Sequence, residues 1–340
     1  MTPRGIRRAL ALTTAVALGS AVLTACGDSS SAEPNGTVTV GVAGNIFDMP
    51  FRVAEANGYF TKQGLRIKYV TVTAATGPSA LESGSVQFLN ESPTGFLSAL
   101  GKHLPHVAIA QDGGGNPLGL IVSTTFAKDH GLTSDSPAAK VAKALAGSTG
   151  GSSSANTQAE AGLFLKAYDV DPAGVKWVSL PSPAADKTAM KSGQIDWFVT
   201  SEPTPLAIQD SGDGVVVADP IKVPAWSAAQ AGYGQVVVAN SRFLSEHADV
   251  AGKVATAVAQ ATAYMYANLD SESVQTVARK ALPGVPAEVV KASLEQVEWP
   301  KDAAMSTADW DRTLKFIESL GVMKQAPTIG SDNWTNDYLS

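Results

Sequence analysis

Two stretches of this chain share one layout. Leu81-Glu82-Ser83-Gly84-Ser85-Val86-Gln87-Phe88-Leu89 runs on to Ser92-Pro93-Thr94, and Met190-Lys191-Ser192-Gly193-Gln194-Ile195-Asp196-Trp197-Phe198 runs on to Glu202-Pro203-Thr204. Each reads as a helix end at Ser-Gly, a short strand, then a polar residue, Pro and Thr. Upstream, Gly58-Tyr59-Phe60 before a strand over 65–72 parallels Ala167-Tyr168-Asp169 before a strand over 175–180. Strands alternating with short helices indicate βαβ units and a largely parallel sheet, so the fold class is α/β. Two units of one design predict two similar lobes.

The apolar runs Gly119–Ser123 and Gln235–Ala239 flank the second unit and are expected to carry the chain between lobes. Lobe 1 is then 37–122 plus 237–340, and lobe 2 is 123–236. Helices are expected over 50–60 and 78–83, over Asp249–Asn268 with Val250, Val254, Val258, Ala261 and Met265 inward, and over Trp310–Leu320.

The N-terminus predicts export. Arg4, Arg7 and Arg8 precede Ala9–Ala25, 17 residues without a charge, and small residues lead to Cys26, the only cysteine. A basic start, a short apolar stretch and small residues at the cut form a signal peptide. The run is short of the roughly 20 residues a membrane span needs. Leu23-Thr24-Ala25-Cys26 resembles the bacterial lipobox, which implies a leader over 1–25, lipidation of Cys26 and a small, polar tether over 27–36. Arg7-Arg8 leaves Sec and twin-arginine export both open. With the leader gone, 22 basic residues face 31 acidic ones, a net charge of −9. That sign disfavours nucleic acid as a partner. Lipidation leaves no thiol for a disulfide, so both lobes must be held by packing.

In open parallel sheets, ligands bind beyond the carboxyl ends of the strands. The polar segments expected there supply the candidate site residues: Asn45, Phe47 and Asp48 after the first strand, Thr76 and Gly77 before a helix, and Asn90 and Glu91 after the third strand. Asp112 follows Val107–Ala110. In the second lobe come Ser153, Ser154 and Thr157 before a helix, then Ser201 and Glu202 after a strand, with Trp226 and Tyr233 in the return segment. Two helix N-termini with hydroxyls suit a sulfonate, carboxylate or phosphate, although plain N-capping explains the same residues. Asp48, Glu91, Asp112 and Glu202 favour an amine or a pyrimidine N–H. A zwitterion such as an amino-sulfonate satisfies both sets.

No Gly-x-Ser-x-Gly, His-Glu-x-x-His or P-loop pattern occurs, so neither an enzyme nor a cofactor is expected. Gly113-Gly114-Gly115-Asn116 reads as a flexible loop. His103-Leu104-Pro105-His106 reads as a solvated loop with no further metal ligand.

Tyr59-Phe60-Thr61-Lys62-Gln63-Gly64-Leu65, then Leu81-Glu82-Ser83-Gly84-x-Val86-Gln87-Phe88, resembles the substrate-binding proteins of ABC transporters for sulfonates, taurine, nitrate and thiamine-pyrimidine precursors. Gly119–Ser123 and Ser192-Gly193-x-Ile195-Asp196 with Glu202-Pro203 extend the resemblance, which covers roughly 37–325. It implies a two-lobed, type II periplasmic-binding-protein-like fold with a ligand cleft between the lobes. It also implies a small-molecule ligand, an ABC permease as partner and a monomeric, extracytoplasmic protein anchored to the membrane through Cys26. The thiamine-precursor branch often carries a cysteine-rich segment, and its yeast enzyme relatives act through a histidine. Neither is seen here, which favours an organosulfonate-like anion or zwitterion over a pyrimidine. The alternatives are a nitrate-, pyrimidine- or other heteroaromatic-binding importer component, an extracytoplasmic enzyme on the same fold, and a lipoprotein that presents its ligand to a membrane sensor.

Overall fold

The computed structural model describes residues 36–323 and 327–339. Cys26, the leader before it and tether residues 27–35 lie outside them. The chain begins with β1 (Thr37–Val42), α1 (Met49–Ala56), α2 (Tyr59–Lys62), β2 (Arg66–Thr71), α3 (Gly77–Glu82), β3 (Phe88–Glu91), α4 (Pro93–Gly101) and β4 (His106–Gly114). A second group follows: β5 (Leu118–Ser123), α5 (Thr124–His130), α6 (Ala138–Leu145), β6 (Thr149–Ser152), α7 (Ala155–Lys166), β7 (Lys176–Ser179), α8 (Pro183–Lys191), β8 (Trp197–Ser201), α9 (Thr204–Asp210), β9 (Gly214–Ala218) and α10 (Ala228–Ala231). The chain returns through β10 (Tyr233–Asn240), α11 (Ser241–Glu246), α12 (Ala248–Asn268), α13 (Glu272–Ala281), α14 (Ala287–Glu295) and α15 (Thr307–Leu320).

There are two five-stranded sheets of matching topology, β2-β1-β3-β10-β4 and β7-β6-β8-β5-β9. The repeated motifs become β3 and β8, each central in its sheet and each parallel to the second strand, β1 and β6 respectively. Their Ser-Gly helix ends need a left-handed residue, and Gly84 and Gly193 sit at φ 71° and 75°. The helix expected over 50–60, with its end near Gly58, does end there: α1 stops at Ala56, and Gly58, at φ 70°, separates it from α2.

The sheets are mixed. β10 runs antiparallel to β3 and β4, and β5 antiparallel to β8 and β9. These are the apolar runs expected to cross between lobes, and they lie fourth in opposite sheets. β5 belongs wholly to the second sheet and β10 wholly to the first. Sheet membership therefore puts the changeovers at 115–117 and 219–232, ahead of the expected 122/123 and 236/237. A strand buried on both faces is uniformly apolar, so its sequence does not say which sheet it joins.

Both faces of the first sheet are covered. Phe88, Ile109 and Val237 pack with Val254 and Val258 of α12, Val274 of α13 and Val290 of α14. On the other face, Leu89, Val236 and Val238 pack with Leu81, Phe96 and Trp310. Alternate residues of β10 thus feed different cores, as the two-residue period of a strand requires. The second sheet is covered likewise, with Phe164, Trp197 and Trp226 on one face and Met190, Phe198 and Ile208 on the other. Burying a side chain such as Val258 stabilises by roughly 1.5–3 kcal/mol. Among the described residues, no helix is long and apolar enough to cross a membrane.

Candidate functional site

Both crossings leave from the same edge of each sheet. β4 ends and β10 begins where β1 and β3 end; β5 begins where β6 and β8 end, with Leu118 opposite Ser201. The carboxyl edges of the two sheets therefore meet around the crossings, the position where open α/β sheets take ligands.

Gly113, Gly114 and Gly115, expected as a flexible loop, are part of this junction: the first two end β4. The Gly115 N–H donates to the Gly232 carbonyl at 3.0 Å, tying one crossing to the other. A Cβ on Gly234 would stand 2.2 Å from the Gly115 carbonyl oxygen. A Cβ on either Gly113 or Gly234 would stand 2.6 Å from the Phe47 ring. Phe47 is thus a buried wedge beneath the two crossings, seated on backbone that only glycine leaves open.

The segment after β1 is folded around two side chains. Asn45 Oδ1 accepts the Phe47 N–H at 3.0 Å, and Asp48 accepts the Gly44 N–H at 2.7 Å. From β3, Asn90 Nδ2 donates to the Phe47 carbonyl at 2.9 Å, while its Oδ1 has no partner. Asp112 is 0% exposed, and neither of its oxygens finds a donor. Burial holds its carboxyl well above the usual range, and repulsion from Asp48 adds to this. Asp48 itself is pushed up to about 6 by burial, against the Gly44 N–H and the charge of Arg52. Glu91 is pushed up to about 8 by burial alone.

On the facing edge, Ser154 caps α7. Its hydroxyl accepts the Thr157 N–H at 3.1 Å, and Thr157 Oγ1 donates back to the Ser154 carbonyl at 3.1 Å. Both hydroxyls are therefore engaged in capping. Ser153 lies beside Asp186, which is fully buried, has no well-formed hydrogen bond to either oxygen, and is pushed up to about 6. Glu202 accepts the Leu206 N–H at 3.3 Å and lies 3.3 Å from Ser293 Oγ of α14. Burial pushes it up to about 8. Ser201 is half-buried at the end of β8.

Four predicted positions stand apart. Thr76 is exposed and accepts the Thr73 N–H at 2.9 Å, and Gly77 packs on Leu89 and Val72. Tyr233 is core: its hydroxyl accepts the Ser306 N–H at 2.8 Å and its ring meets Trp310 edge-on at 5.0 Å. Trp226 is 0% exposed against Phe164. His106 opens β4 in the interior, paired with Glu82 at 2.9 Å, while His103 is exposed in the preceding turn.

Sequence reasoning missed Glu160, Asp186 and Asn116. Glu160 of α7 is 1% exposed and pushed up to about 8 by burial. It accepts from Asn116 Nδ2 of the first crossing at 3.1 Å, and its other oxygen has no partner. Its spacing of four from Phe164 puts it on the apolar face of α7, a signal the sequence does carry. Among the described residues six carboxyl side chains are buried: Asp48, Glu91, Asp112, Glu160, Asp186 and Glu202. No lysine or arginine is. Burial raises all six: Glu91, Glu160 and Glu202, at about 8, keep their protons at neutral pH, and Asp112 is held well above the usual range, whereas Asp48 and Asp186, at about 6, are mostly ionised there. Among the described residues, no three His, Cys, Asp or Glu side chains form a metal site.

The family described as NMT1/THI5 like matches residues 47–271. No curated protein matches the sequence. Among solved structures, the chain is similar to the alkanesulfonate-binding protein of Xanthomonas axonopodis pv. citri bound to MOPS, at 17% identity and TM-score 0.66, covering 87% of this chain and 96% of that one. It is also similar to the periplasmic nitrate-binding protein of Synechocystis PCC 6803, at 15% identity and TM-score 0.67, covering 90% and 87%. The desulfurization enzyme DSZB shares the fold at 14% identity and TM-score 0.60, covering 85% and 94%.

Proposed function

The chain belongs to the NMT1/THI5-like family, and on that premise we propose that it is the solute-binding lipoprotein of an ABC importer. It is held at the outer face of the membrane by acylated Cys26. It captures a small zwitterion of the amino-sulfonate kind between its lobes and hands it to a membrane permease. The observation that carries this reading is the junction of the two sheet edges, to which each lobe brings buried acceptors without partners: Asn90, Glu91 and Asp112 from the first, Glu160 and Asp186 from the second. The sulfonate- and nitrate-binding proteins of the same fold support a binding role.

The ligand's charge follows from the six buried carboxyls. A bare anion such as nitrate brings no donor for Asp112, Glu91 or the free Asn90 oxygen. A zwitterion presents an ammonium to that set and an anionic head to the other lobe. A heteroaromatic ring with N–H donors is the second reading, favoured by the same free acceptors. Lobe closure would select the ligand through contacts made only in the closed state.

A thermal-shift screen over taurine, alkanesulfonates, nitrate and pyrimidines tests the reading. A ligand at 100 times its Kd stabilises by about 2.7 kcal/mol. Taurine or another amino-sulfonate should raise the melting temperature and nitrate should not. A shift with nitrate alone, or turnover of the bound compound, would overturn it.

A further inference from the structure

The first sheet has a cavity at the edge opposite the crossings. It is about 240 Å3 in volume and lies between the end of α3, the entry to β4 and the start of α11. That is below the roughly 300–1,000 Å3 of pockets for drug-sized ligands, so it suits a small solute. Leu81, Val86 and Phe243, all buried, give it an apolar floor.

Two opposite charges line this cavity, Glu82 and Arg242. They do not pair with each other, and Arg242 makes no ion pair among the described residues. Glu82 is fixed from behind. Its Oε1 accepts Asn240 Nδ2 at 2.8 Å and meets His106 Nε2 at 2.9 Å, with the imidazole wholly buried. Its side chain remains 31% exposed, so the second oxygen is open to a ligand. Arg242 lies in the first turn of α11, and its backbone N–H, not its guanidinium, is held by Asn240 Oδ1 at 2.9 Å.

A carboxylate held in one orientation and an uncommitted guanidinium over an apolar floor match one kind of molecule. Its ammonium meets Glu82, its carboxylate takes the planar guanidinium fork, and a small aliphatic group covers Leu81 and Phe243. We propose that this cavity binds a free α-amino acid with a small aliphatic side chain, independently of the ligand between the lobes.

The test is titration of the full, isotope-labelled chain with L-valine, read by amide chemical shifts. Saturable shifts are expected at Gly84, Ser241 and Arg242. Arg242→Ala, an exposed position, should weaken binding by about tenfold or more, the scale of one charge-assisted contact. N-acetyl-L-valine should bind as weakly, since it lacks the ammonium that Glu82 takes. Absence of saturable shifts at millimolar valine overturns the proposal. So do shifts confined to residues 45–48 and 90–91, or unchanged affinity in Arg242→Ala. Shifts confined to 45–48 and 90–91 would put valine in the cleft between the lobes instead; the other two outcomes leave the importer reading untouched, and the sulfonate screen decides that reading separately.

Discussion

Ser293 on α14 stands with its hydroxyl 3.3 Å from Glu202 Oε2, so a helix of the first lobe touches the turn after β8 in the second. The same hydroxyl donates to the Val289 carbonyl at 2.7 Å. The hydroxyl proton is shared between the two, with the shorter bond going to Val289. Glu202, pushed up to about 8, holds a proton of its own at neutral pH, and the contact between lobes is one of neutral groups. Glu91 and Glu160, also pushed up to about 8, repeat that theme, and it sets the protein's response to pH.

Ligand-free stability should fall as pH rises. Glu91, Glu160 and Glu202 are each pushed from 4.5 to about 8 in the fold. Between those values the folded state holds protons that the unfolded chain has lost. The stability these groups confer is whole below about 4.5 and is lost as pH climbs through about 8. Each group contributes a slope of about 1.4 kcal/mol per pH unit at most. Melting curves from pH 5 to 8.5 should decline, and Glu160→Gln should flatten the decline. A profile that rises with pH would contradict the neutral state of these groups.

Binding a zwitterion should release protons. An ammonium beside Asp112 and Glu91 stabilises their charged forms, so protons leave as the ligand enters. Calorimetry of the same titration in two buffers of different ionisation enthalpy reads the number released. Proton uptake would point to an anion taken by protonated carboxyls.

Gly234→Ala should damage the packing beneath the two crossings. The added methyl would stand 2.2 Å from the Gly115 carbonyl and 2.6 Å from the Phe47 ring. Overpacking of this kind costs roughly 1–3 kcal/mol. Gly174→Ala is the control, since nothing lies within 4 Å of its added carbon. Urea denaturation of both variants compares them directly, and equal midpoints would remove the close approach from the account.

Ser153 and Ser154 should separate by role. Ser154→Ala removes the α7 cap and should cost about 1 kcal/mol of stability. Ser153 caps nothing, so Ser153→Ala should leave stability within about 0.5 kcal/mol. If the start of α7 takes the anionic head, Ser153→Ala should still weaken taurine by roughly 1 kcal/mol, about fivefold. Calorimetric affinities at matched stability decide this, and wild-type affinity in Ser153→Ala would take that serine out of the site.

Cys26→Ser should release the protein. If Cys26 is diacylated as proposed, two chains enter the bilayer at about 0.8 kcal/mol per buried CH2. Without the thiol, the protein should move from the membrane fraction to the medium. A variant that stays with membranes would show that another element anchors it.

The sequence by itself determined the two βαβ units, their likeness and the apolar strands beside them. Those features are written in local periodicity and in Gly84, Gly193 and the Pro-Thr pairs, which act within a few residues of themselves. It also placed Asn45, Asp48, Asn90, Glu91 and Glu202 at strand ends. Only the tertiary structure decided that β5 and β10 run antiparallel in opposite sheets, because buried strands look alike whichever neighbours they take. It decided too that Tyr233 and Trp226 face cores, and that Glu160 turns inward to meet Asn116. A carboxyl's protonation depends on groups that arrive from distant parts of the chain. Asp112 sits beside Asp48, and Ser293 meets Glu202, only once the sheets have formed and their carboxyl edges have been brought together by the crossings.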